Sequence, residues 1–223
     1  MHLKKSRRVL IYFFLLILLG SINNINFNKI NFNKVKNIKI TGLDVSESKI
    51  LSKKIKNLNL ENFFSLNSDK INQIINSNNL VENYKIIKIY PSTLNVYIKK
   101  TDLVAKINLE GELYYIGSNG KLIDNNFLND ELPYIFGKPN IQDFLTFLKF
   151  LENSKISYEE INSFYYFPSK RWDIKLKNNV VIKLSNTNIK KSLDLVYGFL
   201  NNSSFKNIKI IDARINDKII ING

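Results

Sequence analysis

The sequence predicts an α+β protein: an apolar amino-terminal helix, a small strand-helix-helix-strand-strand unit, and a larger, mostly antiparallel β domain with flanking helices. Three observations carry this. The run Val9 to Ile22 contains no charged residue. Period-two alternation of apolar and polar residues recurs in adjacent pairs of stretches from Val35 onward, as half-buried strands require. Helical periodicity separates those pairs, most clearly at Ile141, Phe144, Leu145, Leu148 and Leu151.

Lys4, Lys5, Arg7 and Arg8 stand directly before the apolar run, and the next Lys is Lys29. Such a one-sided basic flank holds its own end in the cytoplasm, which places the rest of the chain across the membrane. Val9 to Ile22 is 14 residues, spanning ~21 Å of a ~30 Å hydrocarbon core as a helix. That length suits a signal peptide as well as an anchor. No Ala-x-Ala pattern follows, because Leu18 and Leu19 stand two before the small residues Gly20 and Ser21. Ile25 and Phe27 extend the helix if it is an anchor. The expected layout is therefore a cytoplasmic tail (1–8), an anchor (9–27), a linker (28–34), a first domain (35–100) and a second (101–223).

The chain is 223 residues long with 44% apolar residues, 15 Phe and 11 Tyr, enough for a folded core in each domain. It has no Cys, so disulfides and thiolate zinc sites are excluded. The net charge of +14 invites a nucleic-acid reading. Without the four tail cations, however, 29 basic residues face 19 acidic ones, spread singly with no basic block. Nucleic-acid proteins gather their cations into a stripe, so no nucleic-acid partner is expected.

A duplicated pentapeptide, INFNK-INFNK at 25–34, runs from the end of the anchor through the linker and reads as a spacer or as an apolar strip on the membrane surface. Ile38 and Ile40 then mark a strand ended by Gly42. Asp44 and Glu47 form a capping-box pattern ahead of a helix bearing Ile50, Leu51, Ile55 and Leu58. Asn67 or Ser68 caps a second helix with Ile71, Ile74 and Ile75. Strands follow at Ile87–Ile89 and Leu94–Ile98 with Pro91 and Ser92 at the turn. Two helices on one face of three strands make a complete small domain.

In the second half, Leu103–Leu109 and Glu112–Ile116 read as strands, with a hairpin turn at Gly117–Gly120. Leu132–Gly137 reads as a short strand or irregular segment. Pro139 opens the helix with Ile141, Phe144 and Leu148. A strand pair is marked by Trp172, Ile174, Leu176 and by Val180, Ile182, Leu184, turning at Asn178-Asn179. A helix over Asn188–Asn201 precedes strands at Lys209–Ala213 and Lys218–Ile221.

Convergent catalytic groups are not evident. His2 is the only histidine and lies in the tail, so no Ser-His triad or histidine metal site is available. Glu159-Glu160 and Asp130-Glu131 are adjacent pairs that read as solvated surface. Gly117–Lys121, GSNGK, is a partial likeness of a phosphate loop but lacks the spacer and the Ser or Thr after Lys. No cofactor, metal or small-molecule substrate is expected, and no enzymatic activity. What does stand out is the β-prone carboxy-terminal stretch, where Ile219, Ile220 and Ile221 are followed by only two residues. It is expected either as an edge strand open to another strand, or as an internal strand paired on both sides.

Several stretches together resemble the FtsQ/DivIB family of bacterial cell-division proteins. They are VKNIKITGLDVSESKI (35–50), VENYKIIKIYPSTLNVYIKK (81–100), LPYIFGKPN (132–140), RWDIKLKNNVVIKLSN (171–186) and IIDARINDKIIIN (210–222). The resemblance implies a POTRA domain over 35–100, the family's β domain over 101–223, and a single-pass inner-membrane protein whose bulk is periplasmic at the division septum. It implies a non-enzymatic scaffold that joins FtsB and FtsL, with other divisome members meeting the POTRA domain. The family's FtsB-binding surface corresponds to Arg214, Ile215, Lys218, Ile219, Ile220, Ile221 and Asn222. Where the family commonly has a Glu-Arg pair, this chain has Lys99-Lys100-Thr101-Asp102. The alternatives are another POTRA-bearing export or assembly protein and a membrane-tethered periplasmic cell-wall enzyme. Against the first, the sequence lacks the many alternating ~10-residue strands of a membrane barrel.

Overall fold

The computed structural model describes residues 3–22, 34–58, 60, 68–124, 131–200 and 208–222. The duplicated pentapeptides up to Asn33, Asn67 and the extension of the first helix through Phe27 lie outside these residues. Helix α1, Leu3–Ile22, carries the cations in its first turns, and its apolar side chains from Val9 to Leu19 are exposed. Because the charges take up its beginning, no helix among the described residues is long and apolar enough to cross a membrane.

The chain divides into two compact units, Met1–Ser77 with Asn83–Lys99, and Asn78–Glu82 with Lys100–Gly223. The short segment Asn78–Glu82 groups with the second unit because of its hydrogen bonds there. Asn119 donates its amide Nδ2 to the carbonyls of Asn79 and Val81 at 3.0 and 2.9 Å, and Thr101 N–H donates to Leu80 at 2.9 Å. The GSNG turn is thus a structural clamp within that unit.

β1 (Asn37–Thr41), β2 (Val81–Ile89) and β3 (Thr93–Lys100), which apart from residues 81–82 and 100 belong to the first unit, form a three-stranded sheet of order β1-β3-β2, and α2 (Val45–Lys56) and α3 (Ser68–Asn76) belong to the same unit. β1 runs parallel to β3, with Ile38 beside Leu94 and Ile40 beside Val96. Leu51 and Ile55 of α2, Ile71 and Ile75 of α3, and Leu94, Val96 and Ile98 of β3 are buried. Gly42 has φ +99°, and a Cβ there would lie 1.8 Å from the Ile98 carbonyl oxygen, so the chain can pass only as glycine. The capping box differs from expectation. Asp44 occupies the N-cap position with extended backbone, yet its side chain makes no capping hydrogen bond.

The second unit contains β4 (Leu103–Leu109), β5 (Glu112–Gly117), β6 (Leu122–Asp124), β7 (Tyr134–Phe136), α4 (Ile141–Glu152), β8 (Ile161–Tyr166), β9 (Trp172–Leu176), β10 (Val181–Leu184), α5 (Ile189–Leu200), β11 (Ile210–Ala213) and β12 (Ile220–Asn222). The strands form one nine-stranded sheet of order β12-β11-β10-β9-β8-β7-β4-β5-β6. Five neighbouring pairs are antiparallel, while β4–β7, β7–β8 and β10–β11 are parallel. Helices α4 and α5 supply Phe144, Phe147, Leu151, Leu193 and Val196 to a single core that includes Ile107, Ile135, Phe164, Trp172, Ile182 and Ile211. The ring of Phe147 stacks on Trp172 at 4.9 Å.

Two elements depart from the sequence-based expectation. Helix α4 is opened by Asn140 rather than Pro139: the Asn140 side chain accepts from Gln142 N–H at 2.8 Å, satisfying a donor that proline would leave open. Strand β8 is not apparent from alternation, because Ser163 is buried and the ladder with β9 shifts register between Ile161 and Ser163. Leu132–Gly137 resolves into β7, a short strand inserted in parallel between β4 and β8.

Candidate protein-binding edge

The expected terminal strand exists and is shorter than expected, Ile220–Asn222 instead of Lys218–Ile221. Among the described residues it pairs only with β11, antiparallel, matching Asp212 with Ile220, Ile211 with Ile221 and Ile210 with Asn222. Its place at one end of the sheet makes it an edge strand, not an internal one. Ile220 is 56% exposed and Ile221 41%, although Ile221 lies opposite Ile211, which is fully buried. The exposure therefore reflects the strand's place at the end of the sheet among the described residues and not a polar face.

Seven residues were expected at this edge, and the fold separates them. Ile220, Ile221 and Asn222 form β12. Ile219 turns inward and packs on the core, which removes it from the exposed set. Arg214, Ile215 and Lys218 lie in the connection from β11 and are exposed. That connection bends at Asp217, φ 62°, with Lys218 N–H donating to the Ile215 carbonyl at 3.3 Å. Its outer side is tied to α5. Lys191 Nζ lies 2.7 Å from Asp217 Oδ1, and Asn188 donates to Asn216 at 3.0 Å.

Arg214 is already engaged by a carboxylate of β11. Its Nε donates to both Asp212 oxygens at 2.8 and 3.0 Å, and Nη2 donates to Oδ2 at 2.6 Å. The Arg214 guanidinium holds the Asp212 carboxyl below the usual carboxylate range, against a smaller opposing effect of burial. Asp212 also belongs to a row that periodicity cannot reveal. Tyr165, Asp173, Lys183, Asp212 and Ile220 lie in register across β8, β9, β10, β11 and β12. Opposite charges side by side on neighbouring strands favour this register. At the inner end, Arg171 donates to Asp173 through Nε at 3.0 Å and Nη2 at 3.3 Å. Burial nonetheless pushes the Asp173 carboxyl up, outweighing Arg171. Beyond it, Phe136 stacks on Tyr165 at 4.8 Å.

Elsewhere on the second unit, an open depression of about 470 Å³ is lined by Ser157, Glu159, Glu160, Leu176, Lys177 and Asn178. Glu159 and Glu160 are exposed there, in keeping with solvated surface.

Comparison with known proteins bears on both units. The FtsQ-type POTRA domain matches residues 33–100, and the carboxy-terminal domain of cell division protein FtsQ/DivIB matches residues 105–214. Strand β12 lies beyond that second match. Among full-length relatives, cell division protein FtsQ of Rhizobium meliloti (strain 1021) is 22% identical over 163 residues, covering 70% of this chain and 52% of that protein. FtsQ of Rhizobium radiobacter is 25% identical over 147 residues, covering 63% and 69%. The chain thus spans about half the length of the Rhizobium meliloti relative. Among solved structures, the major extracytoplasmic domain of the cell division protein DivIB from Geobacillus stearothermophilus, trans isomer, is 10% identical. It covers 43% of this chain and 87% of that domain, with a TM-score of 0.33. The two domain matches follow one another over most of the sequence in the order of the two folded units, and the chain belongs to the FtsQ/DivIB family of cell division proteins.

Proposed function

We propose that this chain is a single-pass inner-membrane scaffold of the division septum that takes no substrate and binds FtsB, together with FtsL, by strand addition to β12. The observation that carries this reading is the one-sided pairing of β12 among the described residues, which leaves Ile220 and Ile221 exposed, with exposed Arg214 in the connection that leads to them. Strand addition supplies main-chain hydrogen bonds, while flanking side chains select the partner. Helix α1 supports the membrane part, since its apolar side chains are exposed and its basic end favours the cytoplasm. Residues 23–27 would complete the span, and both folded units would lie in the periplasm.

Pull-down of FtsB's periplasmic segment by the full-length chain tests the reading. Ile220→Glu should weaken capture by at least about tenfold, because it places a charge at an interface centre, and Arg214→Ala should weaken it less. Unchanged capture by both variants would remove the assignment. Incubation with peptidoglycan separates scaffold from enzyme: turnover would overturn the first. The intact mass of the membrane-bound chain tests the anchor, since trimming near Ser21 would show a cleaved signal peptide.

A further inference from the structure

We propose that Asp212 is the positioning residue of this edge: its carboxylate occupies the Nε–Nη2 side of the Arg214 guanidinium and so presents the other nitrogen fork to a carboxylate on the incoming strand. This deepens the strand-addition reading and rests on it.

A guanidinium offers five N–H donors in a fixed plane, enough for two carboxylates on different sides. Asp212 takes one side through contacts of 2.8, 3.0 and 2.6 Å. The same Oδ1 accepts the main-chain N–H of Arg214 at 3.1 Å, so one carboxylate fixes both the backbone leaving β11 and the side chain that follows. The Nη1 side makes no hydrogen bond among the described residues, and the Arg214 side chain is 46% exposed.

The two partners differ in rigidity. Asp212 sits within β11, paired with Lys183 on one side and Ile220 on the other, and its side chain is only 13% exposed. Arg214 lies past the strand end. The fixed member therefore orders the loose one before any partner arrives, and ordering a long side chain in advance spares the complex that cost. Counted with the two arginines that ion-pair with it, the row keeps the site attractive to an acid despite Asp212, since Arg171, Lys183 and Arg214 outnumber Asp173 and Asp212.

Affinity for FtsB's periplasmic segment is measured for the full-length chain in detergent micelles, as wild type, Asp212→Ala, Arg214→Ala and the double variant. Thermal unfolding is recorded for each. Asp212→Ala should weaken binding about 3- to 10-fold when Arg214 is present, the range set by ordering one long side chain. In the Arg214→Ala background it should change affinity by less than about twofold, since the effect runs through Arg214. Asp212→Asn, which keeps an acceptor oxygen, should fall between wild type and Asp212→Ala. Equal losses in both backgrounds would overturn the proposal, since a general folding defect does not depend on Arg214. Tighter binding by Asp212→Ala would overturn it too, showing the carboxylate to be a competitor. A wild type that does not bind the segment sinks the edge reading and this inference together, whereas binding with additive losses sinks this inference alone.

Discussion

Arg171–Asp173 and Asp212–Arg214 are the same pair of residue types at the same spacing on one sheet, yet their carboxyls shift in opposite directions. Both are bidentate or nearly so, at 3.0 and 3.3 Å in one and 2.6 to 3.0 Å in the other. Asp173, on an inner strand, is 4% exposed, and burial raises its pKa more than Arg171 lowers it. Asp212, one strand from the edge, stays wet enough for its guanidinium partner to win. Geometry alone therefore does not say what an ion pair does; access to water decides. The inner pair is a fixture of the fold, while the outer one keeps a charge that another molecule can reach.

The largest effect is expected at the inner pair. Arg171→Ala leaves a buried carboxylate short of its guanidinium and should cost about 2–3 kcal/mol at neutral pH, read from urea unfolding. The deficit should shrink on acidification, as Asp173 takes up a proton in place of its partner. A loss below about 0.5 kcal/mol would mean that Lys183 and solvent already satisfy Asp173.

The two carboxyls also differ in how they respond to pH. Asp212 has a folded-state pKa below its unfolded value, so its contribution to stability is complete above the usual carboxylate range and disappears as pH falls through the lowered value. Asp173 has a folded-state pKa above its unfolded value, so its ionised form costs stability, and that cost is relieved as pH falls through the raised value. Carboxyl carbon NMR shifts followed against pH should show Asp173 titrating above the ordinary Asp value and Asp212 below it. Both titrating on the same side would dissolve the distinction. The smallest expected effect is that of Arg214→Ala on stability, within about 1 kcal/mol, because the Arg214 side chain is 46% exposed and water screens its half of the pair. Its consequence belongs to binding, and a larger loss would make Arg214 a structural residue.

Much of the architecture was legible in the residues, for identifiable reasons. Trp172, Ile174 and Leu176 alternate because one face of β9 meets α4, and Phe144, Leu148 and Leu151 recur at helical spacing because α4 meets that same face. Asp44 and Glu47 marked the start of α2 correctly, with Asp44 at the N-cap, although the Asp44 side chain makes no capping hydrogen bond. Strand β8 was missed because Ser163 is buried where alternation expects a polar, solvated residue. Ile219 could not be told from Ile220 and Ile221, as three isoleucines in a row carry no period.

Local order along the chain was enough to set most element types and the apolar terminal stretch; these depend on neighbours a few residues apart. Which strand ends the sheet, which isoleucine turns inward, and which carboxylate claims Arg214 depend on pairings between distant segments. Only tertiary structure decided those, because strand order and solvent access arise when Lys183, Asp212 and Ile220 are brought side by side from three separate strands.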